Sequence, residues 1–337
     1  MPPTIKDVAQ AAGVSTATVS HVLNGNYFVS PALRERVLEA VERLGYRPHA
    51  TARGLRTRRT GFLGLLIPDA GDPLLPALIR GVQDIAATAG YHIVLESANA
   101  RRRSAKATSV LTQPGILDGL ILDPACAGPE HLEWLARQGI PLVFIGGRPE
   151  NWDTDAVAPD EIAGVATAMY HLWALGHRRI GYLGSPRASP AAGLRYEGYR
   201  QALAQHGLGW DERLVTEVAP SRYGGYRGAK ALLAAPPRPT AFLAASDALA
   251  VGALLALREA GLRVPEDISL VSCSDGPIAD LTQPPLTTIA QPQYELGARA
   301  AQMLVERMEG KETGPGRAVF LRPELVKRQS TAAPPRA

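Results

Sequence analysis

The stretch TIKDVAQAAGVSTATVSHVLNG, residues 4–25, decides how the first sixty residues fold. Ile5, Val8, Ala9 and Ala12 are spaced i, i+3, i+4, i+7, the apolar stripe of a helix, and Thr4 stands where a cap belongs. Gly13 interrupts that helix. Ser15 caps a second one, roughly residues 16–23, with Val19, Val22 and Leu23 inward and Asn24-Gly25 as its stop. Two short helices about a tight turn containing Gly predict a helix-turn-helix, whose second helix fits the DNA major groove.

Downstream, Ser30-Pro31 opens a third helix with Leu33, Val37, Val41 and Leu44 on its buried side, and Gly45 ends it. A plain helical hairpin would satisfy this pattern. Against it, the outward positions of the second helix are the small or polar Thr16, Ala17, Thr18, Ser20 and His21, where a merely solvated helix carries Glu and Lys. The segment that follows, Arg53-Gly54-Leu55-Arg56-Thr57-Arg58-Arg59, is too basic for a casual linker. The net charge of +4 over 337 residues follows the same division. Residues 1–60 hold nine Lys or Arg against four Asp or Glu, and the remainder holds 27 against 28. A small basic module ahead of a near-neutral body implies a nucleic-acid contact plus a second task.

From residue 61 the texture changes to β-α alternation. FLGLLIP (62–68), YHIVLES (91–97), DGLILD (118–123) and PLVFIGG (141–147) read as strands, with helices over 77–90 and 131–139. The rhythm restarts after residue 160. RIGYLGS, TAFLAAS and ISLVSCSD read as strands, separated by helices ending near 175, 207 and 261. Two doubly wound parallel α/β lobes are predicted, with LTTIAQP and helix 294–308 crossing back to the first lobe. The tail STAAPPRA reads as disordered.

Catalytic signatures are missing: there is no GxSxG, GxGxxG, Walker loop or HExxH. Cys126 and Cys273 stand alone, so neither a disulfide framework nor a zinc ribbon is expected, and no metal or cofactor. His171 and His177 read as helix-end or surface residues, Arg101-Arg102-Arg103 as a solvated loop or helix start, and the four tryptophans as packing. No run is long enough for a membrane helix, and the N-terminus lacks an apolar signal core, so a cytoplasmic protein is expected.

The segments 4–25, 29–48 and 50–60 resemble the DNA-binding head and hinge of the lac repressor family. So do LGHRRIGYLGS, the run 237–275 and PPLTTIAQP for the body, up to about residue 330. The resemblance implies a head over 1–48, a hinge helix and linker over 49–60, and a two-lobed domain over 61–330, similar to periplasmic sugar-binding proteins, before a tail at 331–337. The first lobe would be 61–159 plus 292–321, and the second 160–291 plus 322–330. It implies a homodimeric repressor on near-palindromic operator DNA, controlled by a small molecule between the lobes. A DNA surface of Thr4, Ser15, Thr16, Ala17, Thr18, Ser20, His21, Asn24, His49, Ala52, Arg53, Leu55, Arg56 and Arg58 follows, with Leu55 wedged into the minor groove.

His21 stands where the family very often has Arg, and Gly54 sits inside the presumed hinge helix, where it costs about 1 kcal/mol against Ala. The hinge is therefore expected to fold only on DNA. Effector contacts carried over are Asp72, Leu74, Arg148, Asp160, Arg195, Ser246, Asp247, Ser274, Asp275 and Gln291, with Arg195 as the ligand grip. Asp72-Pro73-Leu74-Leu75 replaces the family's frequent Asn-Pro-Phe-Phe, so the aromatic pair that stacks on a sugar is missing. The effector is a sugar, a sugar derivative or another metabolite, or there is none. A transport-type solute-binding protein and an enzyme on the same fold are the other classes.

Overall fold

The computed structural model describes residues 3–24, 27–46, 59–98, 115–185, 187 and 189–335. The chain divides into two compact units, Met1–Gly61 and Phe62–Ala337. The first is built on helices α1 (Ile5–Ala12), α2 (Thr16–Asn24) and α3 (Pro31–Leu44). Val8, Ala9, Ala12, Val19, Val22, Val37 and Ala40 form its core, drawn from the apolar stripes of all three helices. Arg36 and Arg43 of α3 reach back to donate to the carbonyls of Ala12 and Ala11, which satisfies the last turn of α1.

The second unit carries two sheets of six strands. Its first sheet uses β1 (Phe62–Ile67), β2 (His92–Ser97), β3 (Gly119–Leu122), β4 (Leu142–Ile145), β5 (Asp155–Pro159) and β11 (Ala318–Leu321), all paired parallel in the order β2-β1-β3-β4-β5-β11. Its second uses β6 (Ile180–Gly184), β7 (Val215–Glu217), β8 (Ala241–Ala244), β9 (Ser269–Ser274), β10 (Thr287–Ala290) and β12 (Glu324–Val326). The order β7-β6-β8-β9-β10-β12 repeats the first sheet, except that β12 runs antiparallel to β10. Each sheet reverses strand order between its first and third strands, and open α/β sheets bind ligands beyond the carboxyl ends of the strands near such a reversal.

Strands of this kind are buried on both faces, which is why they read as unbroken apolar runs. Leu63, Leu65 and Ile67 of β1 pack under α4 (Leu75–Thr88) and α10 (Gln293–Met308), while Leu66 turns to the opposite face with Phe144 and α5 (Pro129–Arg137). The second lobe surrounds its sheet with α6 (Glu161–Ala174), α7 (Pro190–Gln205), α8 (Arg222–Leu233) and α9 (Asp247–Glu259) around one core that includes Tyr182, Tyr199 and Phe242.

The chain passes between lobes three times: after β5, after β10 and between β11 and β12. The short strands β5, β7, β11 and β12 and the helix α8 were not foreseen. β7 and β12 are only three residues long, β5 runs from Asp155 to Pro159 through small apolar residues, β11 is partly exposed at the sheet edge, and α8 contains Gly224, Gly225 and Gly228, poor helix formers. Those glycines are required by packing. A Cβ on Gly225 would lie 2.0 Å from the Leu249 carbonyl oxygen of α9.

The same device joins α4 to α10. A Cβ on Gly297 would lie 2.1 Å from the Leu78 carbonyl oxygen. Gly297→Ala is therefore expected to lower stability by about 1–2 kcal/mol. Overpacking against rigid backbone outweighs the helix propensity gained, and a thermal melt measures the difference.

Two expectations change here. Residues 330–332 of the tail are tied down, not disordered. Ser330 is fully buried and accepts from the Thr287 backbone N–H at 2.8 Å, and the Ala332 N–H donates to Ser269 Oγ at 3.0 Å. His177 is not a surface residue either. It is 1% exposed, with Nδ1 2.9 Å from Thr240 Oγ1 and Nε2 2.9 Å from the Ala332 carbonyl oxygen. Burial lowers the imidazole's pKa below the ordinary range. His171 holds the next tail residue through Nε2 and Thr331 Oγ1, 3.0 Å apart. Small tail residues with no periodicity conceal such one-to-one polar contacts.

In the first lobe Asp155 is wholly shielded from solvent. It accepts from Arg307 at 2.7 and 3.1 Å and from Arg317 Nη2 at 2.8 Å, fastening β11 and the end of α10 to β5. Burial by itself raises the pKa of the Asp155 carboxyl. The two arginines outweigh it and hold the group well below the usual carboxylate range. A depressed folded-state pKa stabilises the fold above the unfolded value of about 3.9, and this contribution fades as pH falls through the folded value. Urea unfolding is expected to show little dependence on Asp155 from pH 7 to about 5 and a loss below about 4. Asp155→Asn should remove that part of the acid slope.

Candidate functional site

Two sites are built separately. In the head, Thr4 caps α1 reciprocally with Asp7, whose Oδ2 accepts from the Thr4 N–H at 2.7 Å and its hydroxyl at 2.8 Å. Gly13, at φ +64°, makes the turn in the left-handed region that an L side chain resists. Ser15 then caps α2, accepting from the Thr18 N–H at 3.1 Å. Ser15 and Thr18 are thus engaged in starting the helix. Thr16 and Ala17 are exposed, while Thr18, Ser20 and His21 are half-buried. The exposed N-terminal end of α2 offers backbone N–H groups and small side chains that allow close approach to a duplex.

His21 is steered by an edge-on contact with Tyr27, ring centroids 4.6 Å apart. Tyr27 and the 92% exposed Phe28 were not singled out from sequence. Aromatics in a short polar loop give no periodic signal. The side chain of Asn24 and residues His49, Ala52, Arg53, Leu55, Arg56 and Arg58 lie outside the described residues, as do Arg101, Arg102 and Arg103.

The second site is a cavity of about 600 Å³ between the lobes. Leu74 and Pro73, after β1, face Gly276, after β9: a Cβ on Gly276 would lie 3.6 Å from Leu74 Cδ2. Of the ten residues assigned to the cleft, Leu74, Asp275 and Gln291 line the cavity. Arg80, Asp280, Tyr294 and Arg328 line it too and were missed, since each partners the site only through the fold.

The remaining assigned residues are engaged with other parts of the protein, some in their own loops and some across the fold. Asp72 Oδ1 accepts from the Leu74 N–H at 2.9 Å, and Asp160 Oδ1 caps α6 through the Ala163 N–H at 3.0 Å. Ser246 caps α9 through the Leu249 N–H, and the Ser274 hydroxyl donates to the Cys273 carbonyl. Arg148, exposed, donates to the Gly316 carbonyl at 3.3 Å. Asp247 is buried and accepts from the Ser272 hydroxyl and the Gly276 N–H, both at 2.6 Å. Burial raises the pKa of its carboxyl, against the pull of those two bonds.

Arg195 departs most from expectation. Its Nε and Nη2 both donate to the Glu161 carboxylate at 2.8 Å, and Nη1 donates to the Ala245 carbonyl at 2.7 Å. Glu161 is buried and also accepts from Gln291 Nε2 at 3.1 Å. A guanidinium committed to a fork-fork pair and a carbonyl is a structural group in this state of the cleft. Asp275, at φ +59°, is likewise paired, accepting from Arg328 Nη1 at 2.7 Å. Glu161 went unnoticed because an acidic residue in the first turn of a helix reads as a dipole charge. Its partner is 34 residues away.

No group of three or more His, Cys, Asp or Glu side chains suited to a metal ion occurs among the described residues. No helix there is long and apolar enough to cross a membrane.

Comparison with known proteins adds a context to both sites. Residues 4–49 match the family model described as bacterial regulatory proteins, lacI family, and residues 169–331 match a periplasmic binding protein-like domain. The chain is 33% identical over 332 residues to the HTH-type transcriptional regulator RegA of Clostridium saccharobutylicum, covering 98% of this chain and 100% of that one. It is 36% identical over 307 residues to the ribose operon repressor of Escherichia coli, covering 90% and 93%. Among solved structures it is similar to the lac repressor dimer bound to operator and the anti-inducer ONPF, with a TM-score of 0.86 and 28% identity over 99% of this chain and 100% of that one. It is also similar to a complex of the transcriptional regulator CelR with cellobiose, with a TM-score of 0.73 and 32% identity over 97% and 99%.

Proposed function

Because the chain belongs to the lacI family of bacterial regulatory proteins, we propose that it represses transcription as a homodimer on a near-palindromic operator, and that a small molecule in the interlobe cleft controls its grip on DNA. The observation that carries this reading is the capped helix-turn-helix with Thr16 and Ala17 exposed at the start of α2. Each head reads one half-site, so the two-fold axis of a dimer matches the symmetry of the operator. A repressor acts where its DNA is, in the cytoplasm with the nucleoid.

Similarity to the lac repressor dimer bound to operator supports association of two copies. The cavity between two lobes joined by three crossings supports control by a ligand, because closure on a ligand shifts the lobes against each other. The protein's relatives are regulators and not enzymes, and this chain is read the same way.

The test is selection of binding sites from random duplexes by the full chain. Recovery of a near-palindrome is expected, and recovery of no preferred sequence would sink the reading. Binding should also be steeply salt-dependent. Replacing Arg53 or Arg56 by Ala leaves one phosphate per protomer without its cation. Each such change is expected to lower the log–log salt slope of the dimer by about 1.8, whatever the operator sequence, in filter binding over a range of salt.

A further inference from the structure

The charged and polar side chains assigned to the cleft are already satisfied within their own lobes. Arg195 is paired with Glu161, Asp275 with Arg328, and Asp247 with Ser272 and Gly276. Among those assigned side chains, what is left over is an acceptor. Gln291 lines the cavity and is 9% exposed. Its Nε2 is held by Glu161, and its Oε1 has no hydrogen-bond partner among the described residues. The other buried side-chain oxygen without a partner there, the Tyr182 hydroxyl, lies in the field of the same Arg195–Glu161 pair. Buried polar atoms are normally partnered, so an orphan acceptor at a cavity marks where a donor belongs.

An anionic ligand could reach Arg195 only by displacing Glu161 from two charge-assisted bonds, which would strand a buried carboxylate. An uncharged ligand with a hydroxyl leaves that pair intact. Glu161 directly follows the first crossing between lobes, and Gln291 directly precedes the second. A ligand bonded to Gln291 therefore acts where the lobes pivot. Building on the regulator reading above, we propose that Glu161 sets the chemical class of the effector. By claiming Arg195 it withholds that guanidinium from carboxylate- and phosphate-bearing ligands, and the orphan acceptor favours an uncharged, hydroxyl-bearing ligand that donates to Gln291 Oε1.

The test uses the full chain, with acetate and inorganic phosphate as probes against chloride at matched ionic strength. The readout is a saturable rise in melting temperature. The wild-type chain is expected to respond to neither anion. Glu161→Gln keeps the side chain's shape and releases Arg195, so it is expected to bind at least one anion at least tenfold more tightly. Adding Arg195→Ala should abolish that gain. Equal anion binding by the wild-type and Glu161→Gln chains, or a folded Glu161→Gln chain with no gain, overturns the proposal.

Should Glu161→Gln fail to fold, Glu161→Ala in acetate takes its place. A cooperative melt restored by acetate and not by chloride supports the assignment, and no restoration overturns it. Compounds that alter operator affinity are expected to be uncharged and to bind at least tenfold more weakly to Gln291→Leu; an anionic one overturns the proposal. The anion readouts do not involve DNA. A chain that bound no operator would defeat the regulator reading and leave those results standing.

Discussion

Leu55→Ala is expected to weaken operator binding by roughly two to four orders of magnitude. Burying a leucine side chain contributes about 1.5–3 kcal/mol, and a dimer presents two. Their joint loss is about 3–6 kcal/mol, and each 1.4 kcal/mol is a factor of ten in affinity. An apolar wedge at Leu55 would also sustain a bend in the duplex that brings more protein against it, so its removal is expected to weaken the interface elsewhere. Gly54 sharpens the dependence. With a helix breaker beside it, a hinge helix over 49–60 is expected to have little intrinsic tendency to form, so a wedge there would supply much of the reason to fold. Filter binding at one fixed salt concentration measures the effect. The log–log salt slope should stay the same, because leucine neutralises no phosphate. The melting temperature of the two-lobed unit should also hold. Unchanged operator affinity would remove Leu55 from the DNA surface.

Arg195→Ala is expected to lower the stability of the second unit by about 3–5 kcal/mol, the range for breaking one side of a buried pair. Both partners are largely shielded, and Glu161 would be left buried with only the Gln291 amide as a donor. At about 2–4 °C per kcal/mol for a domain of this size, the melt should fall by roughly 10 °C. Removing both charges is expected to do less damage. Glu161→Leu with Arg195→Met should recover much of the loss, because desolvating the ions offsets much of their attraction in the native state. An Arg195→Ala chain melting within a degree or two of the wild type would show that the pair stabilises nothing. The residue is consequently a poor negative control for ligand binding unless the fold is checked alongside.

Local spacing along the chain specifies most of the elements and their order. Ile5, Val8, Ala9 and Ala12 recur at helical spacing around a glycine turn, and that signal is enough for a helix-turn-helix. Runs such as FLGLLIP specify strands covered on both faces, which requires helices on both sides of a parallel sheet. Resemblance to a known family then located the cleft, and strand-end residues such as Leu74, Asp275 and Gln291 do line it.

What the cleft's polar groups do is settled by the completed fold alone. Arg195 stands at the position of a ligand grip, yet its charge is taken up by Glu161, 34 residues away. Asp275 is neutralised by Arg328 across 53 residues, and the tail from Ser330 to Ala332 is held by His177 and Ser269. The physical reason is one of range. Secondary structure follows from hydrophobic spacing within a dozen residues. The pairing of a charge or hydrogen-bond donor depends on which distant side chain the folded protein brings within about 3 Å of it.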